Sequence, residues 1–97
     1  MLVLNKERLV KDTLVTFNYC YEPHRVRTPE EIQQATSTIT GNSQYNTVTD
    51  ILRELIQIMK DNKYNVLNHY NEFTPVNLVK LLFVLGLDIK QYYNEAT

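Results

Sequence analysis

The chain has one cysteine, no tryptophan, two glycines and three prolines in 97 residues. A lone thiol, Cys20, forms no intrachain disulfide. The opening "MLVLNKERLV" has four apolar residues before its first charges, too short for a signal-peptide core. Together these point to a reducing, cytoplasmic setting. No apolar run reaches the roughly 18 residues that would cross a bilayer. Neither charge sign dominates: ten basic and eleven acidic residues leave a net charge of −1. There is no global pull toward nucleic acid or an anionic membrane.

Catalytic patterns are also missing. There is no glycine-rich phosphate loop, no cluster of carboxylates in an apolar run and no Ser-His-Asp order. An enzyme is not expected, and neither is a cofactor. Cys20 and His24 sit four apart, but Pro23 interrupts the helix between them. Adding His69 still leaves too few ligands for a structural zinc site, and a nucleophilic Cys20 would need a positioned base. No metal is expected, and Cys20 reads as a buried structural thiol.

What remains is ordinary globular material, 43% apolar and 22% charged. One domain over 1–97 is expected, with a core thin enough that self-association would help it. Asn, Tyr, Thr, Ile and Lys are plentiful, while Gly and Ala are scarce. That usage suggests an AT-rich coding sequence, such as a low-GC bacterium, its plasmid, its phage or another mobile element.

Helical spacing runs through "NKERLVKDTLVTFNYCY", with Leu9, Val10, Leu14, Phe17 and Cys20 or Tyr21 on one face. Asn5 suits its N-cap and Glu7 its first turn. In "TPEEIQQATSTIT", Thr28 with Glu31 makes a capping box, and Pro29 suits the first helical position. Ile32, Ala35 and Ile39 form its apolar face, and Gly41 with Asn42 ends it. A third helix is predicted from about Tyr45 to Lys60, with a stripe of Val48, Ile51, Leu52, Leu55, Ile58 and Met59.

The segment "DNKYNVLNHYNEF" lacks helical period and suits a short hairpin, with strands at 64–67 and 72–74. "TPVNLVKLLFVLGL" then starts at Thr74-Pro75 and is apolar nearly all round until Gly86. "LDIKQYYNE" is expected to add a short final helix. A helix apolar on every side must be buried on every side. A homodimer through Val76, Val79, Leu82, Phe83, Leu87 and Tyr92 is therefore expected.

Residues 28–74 resemble a winged helix-turn-helix domain. "TPEEIQQA" resembles the opening of that motif's first helix. "NTVTDILREL" resembles its recognition helix, with Val48, Leu52 and Leu55 toward the core. Val48 stands 16 positions after Ile32, similar to the looser spacing of winged regulators, and "KYNVLNHYNEFT" would be the wing. The resemblance implies a mainly α fold with a small β-hairpin wing and extra C-terminal helices. Its parts would be an N-terminal helix and loop (1–27), the helix-turn-helix (28–61), the wing (62–74) and dimerisation helices (75–97).

It further implies a sequence-specific binder of double-stranded DNA. The use would be transcription regulation, or an accessory role in plasmid transfer, partition or replication. Base-facing residues would be Gln44, Tyr45, Asn46, Thr47, Thr49 and Arg53, since Asn and Gln pair with adenine edges and Arg with guanine. Asp50 fits that face worse. The wing would add Lys63, Tyr64, Asn65, Asn68 and His69, and Arg25 and Arg27 would meet phosphates.

Plainer readings stand beside each of these. "SQYNTVTD" also suits an N-capped surface helix. The 63–69 residues suit a solvated loop, and Arg25 with Arg27 a surface pair. A different function is open as well: a small helical module or inhibitor that binds another protein through "VKLLFVLGL".

Overall fold

The computed structural model describes residues 2–21, 28–42, 44–61 and 74–95. In chain order they form strand β1 (Leu2–Leu4), helices α1 (Lys6–Tyr21), α2 (Pro29–Thr40), α3 (Val48–Asp61) and α4 (Pro75–Val84), a 3-10 turn (Ile89–Tyr92) and strand β2 (Tyr93–Glu95). The architecture is mainly helical with one small antiparallel sheet.

Local chemistry explains the helix starts. The Asn5 carboxamide accepts the Arg8 backbone N–H at 3.1 Å. Thr28 Oγ1 accepts from Glu31 N and Thr74 Oγ1 from Asn77 N, both at 3.2 Å, each just before a proline at the first turn. These side chains satisfy donors that the helix itself leaves orphaned. On α1, Glu7 pairs with Lys11 one turn later at 2.7 Å, the favourable order for a helical ion pair.

α1, α2, α3 and α4 close on one core. Leu9, Val10, Leu14 and Phe17 come from α1, Ala35 and Ile39 from α2, Leu78 and Leu82 from α4, and Tyr92 from the 3-10 turn. α3 contributes Ile51, Leu52, Leu55, Ile56 and Met59. It touches α1, α2 and α4, as α1 in turn touches the other three helices. Thr13 and Thr36 are buried too, their hydroxyls donating to Leu9 O and Ile32 O at 2.7 Å. That back-bonding lets a polar group enter an apolar layer.

Three expectations change. Cys20 is exposed rather than buried. α1 outruns the core by a turn, and Tyr19 beside Cys20 is exposed as well. α3 begins at Val48, not Tyr45, because Thr47 Oγ1 accepts the Asp50 N–H at 3.1 Å and so caps it. Gly41 ends α2 in the right-handed region (φ −79°). Its lack of a side chain matters because a Cβ there would stand 3.0 Å from Ser37 O. The last segment does form a short helix, of the 3-10 kind at Ile89–Tyr92, but continues as a strand over Tyr93–Glu95 rather than in helix.

That strand is half of the sheet. Leu2 pairs with Glu95, Val3 with Asn94 and Leu4 with Tyr93, so the sheet joins the two ends of the described chain. The Asn5 N–H donates to Tyr92 O at 2.6 Å, extending the pairing inward. The expected wing strands fall on 62–73, outside the described residues, and the adjoining Thr74 is the cap of α4.

Candidate nucleic-acid interface

α3 carries the candidate surface. Its buried residues fall on one side, and Thr49, Arg53 and Gln57 are exposed on the other. Those three are spaced by four, so they form a single ridge along the helix. Arg53 Nη1 lies 3.5 Å from Asp50 Oδ1, with both side chains well exposed. Such a pair in water is weak, and a guanidinium holds further donors for a ligand.

The polar stretch ahead of α3 is a turn, and each of its side chains has a distinct place. The Gln44 N–H donates to Asn42 Oδ1 at 2.9 Å, while Gln44 itself is exposed. Tyr45 is half-buried and packs on the core. Its phenol is pushed above the ordinary tyrosine range, first by desolvation and then by a hydrogen bond and charge from Glu54. A Tyr45 hydroxyl tied to a carboxylate on α3 pins the turn rather than facing outward. Thr47 is spent on the cap. Of the expected base-facing residues all but Tyr45 are exposed, Thr47 with its hydroxyl committed to the cap, and Gln57 joins Thr49 and Arg53 on the ridge.

Lys6 was not legible as part of this face. Its ammonium donates to Asn46 Oδ1 at 3.0 Å across 40 residues of sequence. The contact brings the start of α1 to the head of α3 and adds a cation there. Gln57 could have been found from the sequence by stepping one turn beyond Arg53. Lys6 had no local signal. Around the ridge, Lys6 and Arg53 are balanced by Asp50 and Glu54, so the described face is nearly neutral. Arg25, Arg27, Lys63, Tyr64, Asn65, Asn68 and His69 lie outside the described residues.

The expected dimer residues divide. Leu82 and Tyr92 are buried in the chain's own core, and Val79 and Leu87 are partly buried against it. Val76 and Phe83 are exposed, joined by Val84 and Leu85. Tyr92 is further committed: its hydroxyl donates to Asp12 Oδ2 at 2.8 Å, and Arg8 sits 5.4 Å from the ring centre. Burial first, and Asp12 second, raise its pKa, while Arg8 acts the other way.

Among the described residues, no three His, Cys, Asp or Glu side chains gather as metal ligands would. None of the described helices is long and apolar enough to cross a membrane. No protein-family model, curated protein or solved structure matches the chain. The surface must therefore be read from its own geometry.

Proposed function

We propose that the chain is a sequence-specific binder of double-stranded DNA that acts as a dimer. It would be built as a winged helix-turn-helix with additional C-terminal elements and would work in the cytoplasm of a low-GC bacterium or on its mobile elements. One observation carries this reading: α3 is anchored by five core side chains and turns a polar ridge of Thr49, Arg53 and Gln57 outward, with Asn46 at its head. A recognition helix needs that division between anchor and reader. Asn46 suits an adenine edge, Arg53 a guanine edge and the Thr49 methyl a thymine methyl.

The small number of cations sets the energetics. Phosphate contacts supply most of the salt-dependent affinity, so one subunit would bind weakly and two would bind a repeated or palindromic site. Repression of a small operon and an accessory role in transfer, partition or replication demand the same contacts.

A second reading rests on a different observation. Val76 at the start of α4 and Phe83, Val84 and Leu85 at its end expose apolar surface, as a module that binds or inhibits another protein would.

Selection from a random duplex library, followed by shift assays across a salt series, separates the two. The DNA reading expects an enriched motif, affinity that falls steeply with salt, and loss of preference for that motif in Asn46→Ala/Arg53→Ala. Equal affinity for every duplex would falsify it.

A further inference from the structure

The hydrogen bond from Lys6 Nζ to Asn46 Oδ1, 3.0 Å long, reaches the candidate reading face at its head. Lysine donates and has no acceptor, so the carboxamide atom that faces it must be the oxygen. A carboxamide can turn end for end about its last torsion, which is only weakly restricted. The ammonium selects one of the two orientations, and its charge strengthens the bond.

Lys6 is itself held in place. It is the first residue of α1, directly after Asn5. The Asn5 carboxamide accepts the Arg8 N–H at 3.1 Å, and the Asn5 N–H donates to Tyr92 O at 2.6 Å. Tyr92 is fully buried, and Leu4 pairs with Tyr93 across the sheet. The backbone beside Lys6 is thus fixed, and the Lys6 side chain is half-buried. A lysine on so firm a base can hold a partner 40 positions away in sequence.

The order of oxygen and nitrogen in the carboxamide matters for base reading. In the major groove adenine offers the N6 amino donor beside the N7 acceptor, whereas guanine offers two acceptors, O6 and N7. Asparagine meets adenine through Oδ1 and Nδ2 together, and in one order only. Oδ1 carries two lone pairs, so a bond from Lys6 is compatible with a bond from an adenine amino group.

We infer that Lys6 is a positioning residue of the reading face: it fixes the Asn46 carboxamide in one orientation and so sharpens the choice of adenine at the base that Asn46 meets. This rests on the duplex-binding reading above. It also gives the terminal sheet a role, since the sheet supports Asn5 and Lys6 and, through them, a side chain at the head of α3.

Selection from the random duplex library with Asn46→Ala, Lys6→Met and the double variant tests the inference. Asn46→Ala identifies the base position that Asn46 reads. Lys6→Met keeps the unbranched stem and should lower discrimination at that same position about threefold to tenfold, the scale of ordering one flexible side chain. In the Asn46→Ala background it should lower it no further. Lys6→Arg, which keeps a charged donor, should restore most of the preference. Without DNA, the Asn46 side-chain amide signals in a nitrogen–proton correlation spectrum should move in Lys6→Met while helical circular dichroism stays unchanged. A lysine that only meets phosphate would weaken all duplexes alike. Uniform weakening with the preference intact, a loss at some other position, or unmoved Asn46 amide signals would each overturn the inference. A wild type with no preferred motif takes down the duplex-binding reading and this role with it, whereas a clear motif that survives Lys6→Met sinks the role of Lys6 alone.

Discussion

α3 and α4 are both rich in apolar residues, and they use them differently. α3 buries Ile51, Leu52, Leu55, Ile56 and Met59 and keeps its polar residues outside. α4 buries Leu78 and Leu82 and leaves four large apolar side chains exposed. A periodic helix carries its own orientation, because only one rotation hides the stripe. A helix apolar all round carries none. Its neighbours choose the face, and whatever they leave uncovered becomes surface. The expectation that α4 is buried on every side assigned part of its cover to a second chain, because a chain this small has too few elements to surround it.

The largest expected effects test that contrast directly. Leu52→Ala removes a fully buried side chain from α3 and should cost about 2–5 kcal/mol. That is a large part of the whole stability of a small domain. Val84→Ala, measured by urea unfolding at concentrations where the chain is monomeric, should change stability by less than about 0.5 kcal/mol. Comparable costs at the two sites would dissolve the distinction between an anchored helix and an exposed tip.

A smaller effect is expected where the 3-10 turn meets α1. Tyr92→Phe deletes the hydroxyl that donates to Asp12 at 2.8 Å and should cost about 1–2 kcal/mol, as hydrogen bonds to charged groups do. The change also has a pH signature. The folded-state pKa of Tyr92 is raised above its ordinary 10.0, so the native chain keeps a proton that the unfolded chain releases. Stability is therefore intact below about pH 10 and falls at higher pH, by up to about 1.4 kcal/mol per pH unit for this one group. Urea midpoints from pH 9 upward (roughly, given the reference value) should decline less steeply in Tyr92→Phe. An identical decline in both proteins would show that the Tyr92–Asp12 bond contributes nothing.

These cases separate what a reader of the sequence can see from what the fold adds. Asn5, Thr28-Pro29, Thr74-Pro75 and Gly86 all act within a turn of themselves, so the starts of α1, α2 and α4 and the end of α4 were legible. So was the core stripe of α3. The Leu2–Leu4 and Tyr93–Glu95 pairing, the Tyr92–Asp12 bond and the Lys6–Asn46 contact join residues far apart, and no local period announces them. Cys20 misled for a related reason. It shares a helical face with Phe17, but the helix runs past the core that would have covered it. Of the candidate site, the exposed positions Asn46, Thr49 and Arg53 were readable from helical spacing. The inward turn of Tyr45 and the capping by Thr47 were not, because each depends on where the helix begins.

The smallest stability effects sharpen the contrast between a residue that builds α3 and one that reads from it. Thr47 and Arg53 both stand in the polar first half of the α3 region, and both were expected to face bases. Thr47 Oγ1 accepts the Asp50 N–H at 3.1 Å, so Thr47→Ala should cost about 1 kcal/mol through the lost cap. Its preference among duplexes should persist once the chain is folded. Thr47→Ser, which restores an acceptor, should recover most of the stability. Arg53 is exposed and only loosely paired with Asp50, so Arg53→Ala should change stability by less than about 0.5 kcal/mol. On the DNA reading it should nonetheless lose about 1–3 kcal/mol of discrimination at one base position, the range for a good bidentate contact. Thermal melts and competition binding on the same preparations measure both quantities. A Thr47→Ala chain that is stable but blind to sequence would reverse the assignment of the two residues.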